Sequence, residues 1–286
     1  MQLSDNLRGS LFMTASMAGF ALEDMFLKSA ARGMPVGQVV AIMGAVGALV
    51  FALIARSRGE APLPRAVLTR TMGLRSLFEI AGRLFYALAV ALTPISQASA
   101  ILQAAPIIVV LGAALMFGER VGALRWVLVV LGFLGVLIIL RPGLDGFSPL
   151  SLLTLIAMLG FAGRDLATRA APPSLSNAQL GVLGFLMFTL SGLIILAVTG
   201  GARLPDALTL VHLTGSIVSG ILAYAALTRA MRLGEVAVVT PFRYTRLLFA
   251  LVIGFLAFGE VPDTPMLAGS ALIVICGALL LTRRAN

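Results

Sequence analysis

Residues 17–24 read MAGFALED and residues 158–165 read MLGFAGRD. Met, Gly, Phe, Ala and Asp fall at matched places, 141 residues apart, and in each copy an acid ends a stretch that is otherwise almost wholly apolar. The same offset carries Lys28 onto Arg169 and the FGE of 117–119 onto the FGE of 258–260. One ungapped register held over so long a distance is the mark of a duplication, because matches driven by composition alone do not keep step.

The setting of the repeat is a membrane. Of 286 residues 59% are hydrophobic and 12% charged, with a mean hydropathy of +1.04, against roughly 25% charged residues in soluble domains. A helix needs about 20 apolar residues to cross a hydrocarbon core about 30 Å thick. On that ruler ten spans are expected, near 9–27, 36–55, 73–92, 96–117, 122–140, 149–169, 177–198, 208–229, 235–258 and 265–282. Pro- and Gly-rich gaps such as SRGEAPLPR (57–65) and TGGARLPD (199–206) separate them. Five spans per copy is an odd number, so the second copy must begin on the opposite side of the membrane. The expected fold is therefore all-α, with ten transmembrane helices as two inverted five-helix repeats, residues 1–141 and 142–286. Repeats of this kind build secondary transporters that bind near the midplane and work by alternating access.

The basic residues act as a topology signal. On the side holding both termini lie Arg8, Arg56, Arg58, Arg65, Arg70, Arg75, Arg120, Arg125, Arg169, Arg229, Arg232, Arg283 and Arg284; the other side has Lys28, Arg32, Arg141 and Arg203. That bias places both termini in the cytoplasm. The net charge of +9 is spread over short gaps rather than along one face, so no nucleic-acid partner is expected. The first apolar stretch contains Glu23 and Asp24 and lacks a small-residue cleavage site, so it reads as a helix and not as a signal peptide.

Other functions lose ground by what the chain lacks. The single lysine follows no G-x-x-x-x-G run, which removes a Walker A ATPase. One histidine, His212, and one cysteine, Cys276, are too few for a cysteine or histidine metal cluster or for an H-E-x-x-H motif. An intramembrane enzyme and a scaffold remain as other classes, but neither calls for an inverted repeat with buried arginines. No catalytic residue, metal or cofactor is expected.

An FGE closing the fourth helix of each half (Glu119, Glu260), with YALAVALTPISQASAILQAAPI at 86–107, resembles the EamA-type repeat of the drug/metabolite transporter superfamily. The resemblance covers the whole chain and implies a carrier of small metabolites. TPFRYTRLLFALVIGFLAFGEVPD at 240–263 is similar to the bacterial branch of riboflavin and S-adenosylmethionine carriers. FGERVGALRWVLVVLGFLGVLIILRPG at 117–143 leans toward the riboflavin group. The resemblance implies riboflavin uptake across the bacterial inner membrane, with S-adenosylmethionine or an amino-acid derivative as the alternative. The partners are a small solute and the bilayer, and a homodimer is open.

Ionisable groups at membrane depth are costly and turn inward, so they are the candidate site. Glu79 and Arg83 stand four apart on one helix and can pair, either as a neutralised structural couple or as part of a substrate site. Ser96, Ser99 and Gln103 form one polar strip; Thr240 and Tyr244 form the other, with Arg243 and Arg246 beside it. Pro241 withdraws a backbone donor there and loosens the helix. Glu79, Arg83, Ser99, Gln103, Thr240, Arg243, Tyr244 and Arg246 are the expected substrate contacts. Arg246 has a structural alternative as the partner of Glu79 or Asp165. Asp24 and Asp165 are expected either to pair with Lys28 and Arg169 one turn on or to act as matched gates at opposite mouths. Glu119 and Glu260 read as structural or gate-facing, and His212 and Trp126 as interfacial.

Overall fold

The computed structural model describes residues 5–117, 123–141, 148–169, 172, 174–233 and 240–282. Helices account for almost all of them, and no strand occurs among the described residues. In chain order the helices are α1 (Asp5–Ala30), α2 (Val36–Ser57), α3 (Arg70–Leu92), α4 (Ile95–Leu102), α5 (Ala105–Phe117), α6 (Ala123–Leu140), α7 (Ser151–Arg169), α8 (Asn177–Thr199), α9 (Ala207–Leu233), α10 (Thr245–Phe258) and α11 (Thr264–Thr282). Short 3-10 turns cover Arg65–Leu68 and Thr240–Tyr244.

Local chemistry sets these limits. The Ser176 hydroxyl accepts from the Gln179 amide and the Gln179 side chain accepts from the Ser176 amide, a reciprocal cap on the first turn of α8. Asp206 and Asp263 accept from the amides of Thr209 and Met266 at 2.8 and 2.9 Å and start α9 and α11 the same way. Gly259 ends α10 with a φ of +64°, a left-handed position that suits glycine.

Proline explains where the structure departs from simple spans. The single helix expected over 96–117 is broken into α4 and α5 at Gln103–Ala104. Pro106 cannot donate a backbone hydrogen bond and its ring crowds the carbonyl of Leu102, so the helix stops there. The loosening expected at Pro241 is found as the 3-10 turn Thr240–Tyr244 ahead of α10.

Polarity runs inside out relative to a soluble protein. Glu23, Asp24, Arg75 and Glu79 are buried, while Leu49, Leu53, Leu222 and Leu248 are each more than half exposed. Such a surface suits lipid rather than water. By length and composition α2, α8 and most of α7 and α9 are apolar enough to cross a bilayer. α1 and α3 are equally long, but each has several charges along its length.

The principal helix pairings are α2 with α8, α1 with α9, α3 with α7 and α6 with α11. Glycines let these backbones touch, as expected where lipid removes the hydrophobic drive for helix association. A Cβ on Gly19 would stand 2.9 Å from the Cβ of Ala223, and one on Gly160 would stand 2.6 Å from the amide nitrogen of Gly82. These two crossings are related by the same offset, since 160 − 19 = 141 and 223 − 82 = 141. Gly160→Leu should lower the apparent melting temperature of the purified protein in detergent, corresponding to about 2 kcal/mol or more of overpacking. Gly73→Ala, where a Cβ meets nothing within 4 Å, should not lower it. Equal melting of G160L and the parent protein would remove this account of the α3–α7 crossing.

Candidate functional site

α3 carries Arg75, Glu79, Arg83 and Tyr86 along one face, because residues three and four apart share a face of a helix. Glu79 is the hub. Its carboxylate lies 3.5 Å from Arg75 Nη2, 3.1 Å from Arg83 Nε and 3.4 Å from Nη1 of Arg164, which comes from α7. It is 2% exposed. Arg75 also donates to the Thr168 hydroxyl at 3.0 Å. Three guanidiniums on one carboxylate leave a local excess of positive charge, and Asp165 answers part of it by accepting from Arg164 at 2.7 and 3.0 Å. Arg243 Nη1 stands 4.0 Å from the other Asp165 oxygen. Aromatic faces take up what the carboxylates do not: Arg83 lies 4.6 Å from the centroid of Phe188, and Arg164 lies 5.0 Å from that of Phe161.

A second cluster joins α1, α3 and α10. Arg246 Nη2 lies 2.7 Å from Asp24 Oδ2, the Tyr86 hydroxyl donates to the same oxygen at 2.8 Å, and Arg246 donates to that hydroxyl at 3.0 Å. The guanidinium sits over the rings of Phe20 and Tyr86. Pairing of Asp24 with Lys28, expected from their spacing, is not found, and Arg246 takes Asp24 rather than Glu79 or Asp165. The reason is direction: Lys28 reaches the Thr93 carbonyl at 2.6 Å and Glu260 at 3.2 Å, one turn further toward the helix end.

Glu260 closes a third cluster, just past α10. It accepts from the amides of Ile95 and Ser96 at 2.8 and 3.1 Å and from the Ser96 hydroxyl at 2.7 Å. It thereby places a carboxylate on the N-terminus of α4, where the helix dipole favours an anion. Burial pushes its carboxyl up, but the Ser96 hydroxyl, the two amides and Lys28 prevail and hold it below the usual carboxylate range. Lys28 and Arg32 both lie against the Phe258 ring.

The remaining sequence candidates fall around these clusters. Gln103 donates to the Arg243 carbonyl at 3.1 Å. Ser99 is fully buried. Tyr244 is buried with its hydroxyl packed on Gly277, where a Cβ would overlap it. The side chains of Thr240 and Arg169, and all of Glu119, lie outside the described residues. Trp126 is exposed, and His212 packs near Phe26. Sequence reasoning assigned Arg75 to the cytoplasmic edge and gave Arg164 and Tyr86 no role. Arg75 was findable as the residue four before Glu79, and Tyr86 as the next turn after Arg83.

The family model for the EamA-like transporter family matches this chain twice, at residues 7–141 and 149–283. The chain belongs to the EamA-like transporter family. It is thus a membrane transporter of the drug/metabolite transporter superfamily. It is 27% identical over 281 residues to a riboflavin transporter of Vibrio cholerae, covering 96% of this chain and 93% of that one. To a riboflavin transporter of Rhizobium johnstonii it is 32% identical over 186 residues, covering 64% and 61%. To the pseudopaline exporter CntI of Pseudomonas aeruginosa it is 28% identical over 284 residues, covering 96% and 97%.

Two outcomes test this electrostatic account. Glu79→Gln leaves the buried Arg75 and the half-buried Arg83 and Arg164 around a neutral amide and should reduce stability by roughly 3 kcal/mol, read as a collapse of the monodisperse peak in detergent; an unaltered peak and melting curve would mean that Glu79 is not the hub. Glu260 is held below its unfolded value of 4.5, so its cap is fully present above that pH and is lost as pH falls through the folded value. Acidification should therefore lower the melting temperature of the parent protein more than that of Glu260→Gln.

Proposed function

We propose that this transporter imports riboflavin across the bacterial inner membrane by alternating access. In this reading ten spans form two inverted five-helix repeats, residues 1–141 and 142–286, with both termini in the cytoplasm. The 141-residue register supports the repeat, as do helix pairings that stay the same set when the halves are exchanged: α1 with α9 becomes α7 with α3, while α2–α8 and α6–α11 return to themselves. The distribution of arginines supports the orientation.

The observation that carries the substrate reading is the partly exposed group of Arg83, Arg164 and Arg243, the first two of which lie over the ring of Phe161. Riboflavin presents a flat ring edged with carbonyl and imine acceptors. Arg83 and Arg243 are donors suited to that edge, and the Phe161 face suits the ring itself. Gln103, held on the Arg243 carbonyl, positions this side of the pocket. Glu79 orients Arg83 from behind, Ser99 lies buried on the same strip as Gln103, and Tyr244 forms the wall against α11. Arg246 with Asp24 on one side, and Asp165 with Arg164 and Arg243 on the other, are the gates that exchange partners as the halves rock. Five guanidiniums (Arg75, Arg83, Arg164, Arg243, Arg246) face three ion-paired carboxylates (Asp24, Glu79, Asp165) in this interior, which favours a neutral solute over the cationic S-adenosylmethionine. The full-length similarity to the Vibrio riboflavin transporter supports the same choice.

Expression in a riboflavin auxotroph should restore growth at limiting riboflavin, and Arg83→Ala or Arg243→Ala should raise the riboflavin concentration needed about tenfold, equivalent to about 1.4 kcal/mol. Failure to restore growth, with rescue of an auxotroph for a different metabolite, would overturn the substrate and leave the family intact.

A further inference from the structure

We propose that Glu23 is the proton-binding site of this carrier and that solute uptake is driven through it by inward proton movement; this rests on the carrier reading above. Glu23 lies on α1 at the depth of the polar interior and is 5% exposed. Asp24, Glu79 and Asp165 each hold at least one guanidinium. Glu23 alone of these four forms no ion pair among the described residues. Its carboxyl packs on α9, where a Cβ on Gly220 would stand 2.9 Å from its Cδ, so glycine makes the room it occupies.

Its surroundings are polar but already committed. On its own helix Asp24 is taken by Arg246 and Tyr86. From α3, Arg83 faces it but is bonded to Glu79, and Tyr86 donates to Asp24. From α10, Arg246 faces it but is bonded to Asp24. From the 3-10 turn, Arg243 turns to Asp165. α9 presents Ser216, Ser219 and Gly220, with the Ser216 hydroxyl donating to the Glu23 carbonyl at 3.1 Å, and α2 presents Met43. A carboxylate at this depth without a partner is costly, and Asp24 next to it makes a second negative charge costlier still. A bound proton removes both costs.

The step balances simply. Glu23 takes a proton from the outer water, the neutral acid moves with α1 as the halves rock, and its O–H bond breaks on the inner side to leave a carboxylate and a released proton. Arg83 and Arg246 supply the coupling, because a solute that draws either guanidinium from its carboxylate alters the field at Glu23.

In proteoliposomes an inward proton gradient should drive riboflavin above its equilibrium distribution. Glu23→Gln should abolish that accumulation while keeping exchange of labelled for unlabelled riboflavin, which needs no net proton movement. Accumulation that survives in E23Q, or parent protein that exchanges but never accumulates, overturns the proposal. If neither form moves riboflavin at all, the substrate reading falls instead. The proton site is then judged by infrared spectra of the protein in lipid at the pH of the cytoplasm: a carboxylic-acid C=O band lost in E23Q supports it, and absence of that band from the parent protein overturns it.

Discussion

The carboxylate of Glu79 under three guanidiniums is the constraint around which the interior is arranged. A lone arginine at membrane depth is costly, and three of them on α3 and α7 would be prohibitive without an internal anion. Glu79 answers three of those charges at 3.1 to 3.5 Å. It can do so only because Gly82 and Gly160 let α3 and α7 touch, which brings Arg164 within reach. Close packing and charge neutralisation are here one feature: widening the crossing separates Arg164 from its counter-ion.

The helix pairings respect the 141-residue offset, but the charges do not. Asp24 and Asp165 are related by the offset, yet both are met by arginines from the same segment, Arg246 and Arg243. Their offset positions in the first half are Ala105 and Leu102. A duplicated scaffold with a one-sided set of cations gives the two repeat-related aspartates different surroundings. The Asp24 pair is tight and buried, and the Asp165–Arg243 pair is long and partly exposed.

Helix boundaries and the local part of the site were legible in the chain. The Glu79–Arg83 pair, the break at Pro241 and the glycine and proline limits of the helices all follow from spacing within one segment. The partners of Asp24 and Lys28 did not follow, because both i+4 pairing and pairing across helices satisfy the spacing. Only the packing of α1 against α3 and α10 decides between them. Tyr244 was misleading for the opposite reason: its place on a polar strip says nothing of Gly277, 33 residues on, which leaves a hollow that its hydroxyl fills.

The turn at Pro94 and the cap by Glu260 show how the link between two successive helices is satisfied by groups from elsewhere in the chain. Ending α3 at Leu92 and restarting at Ile95 leaves the first amides of α4 without partners in their own helix. Glu260 supplies three acceptor contacts to Ile95 and Ser96, and Lys28 balances its charge while also meeting the freed Thr93 carbonyl. Donors, acceptor and counter-ion come from three helices far apart in sequence, so this junction is satisfied only while α1, α4 and α10 are together. Separating α1 from the other two would leave Glu260 on its amides without its cation and the Thr93 carbonyl without its donor. The junction therefore holds these three elements together, the more strongly the less water reaches it.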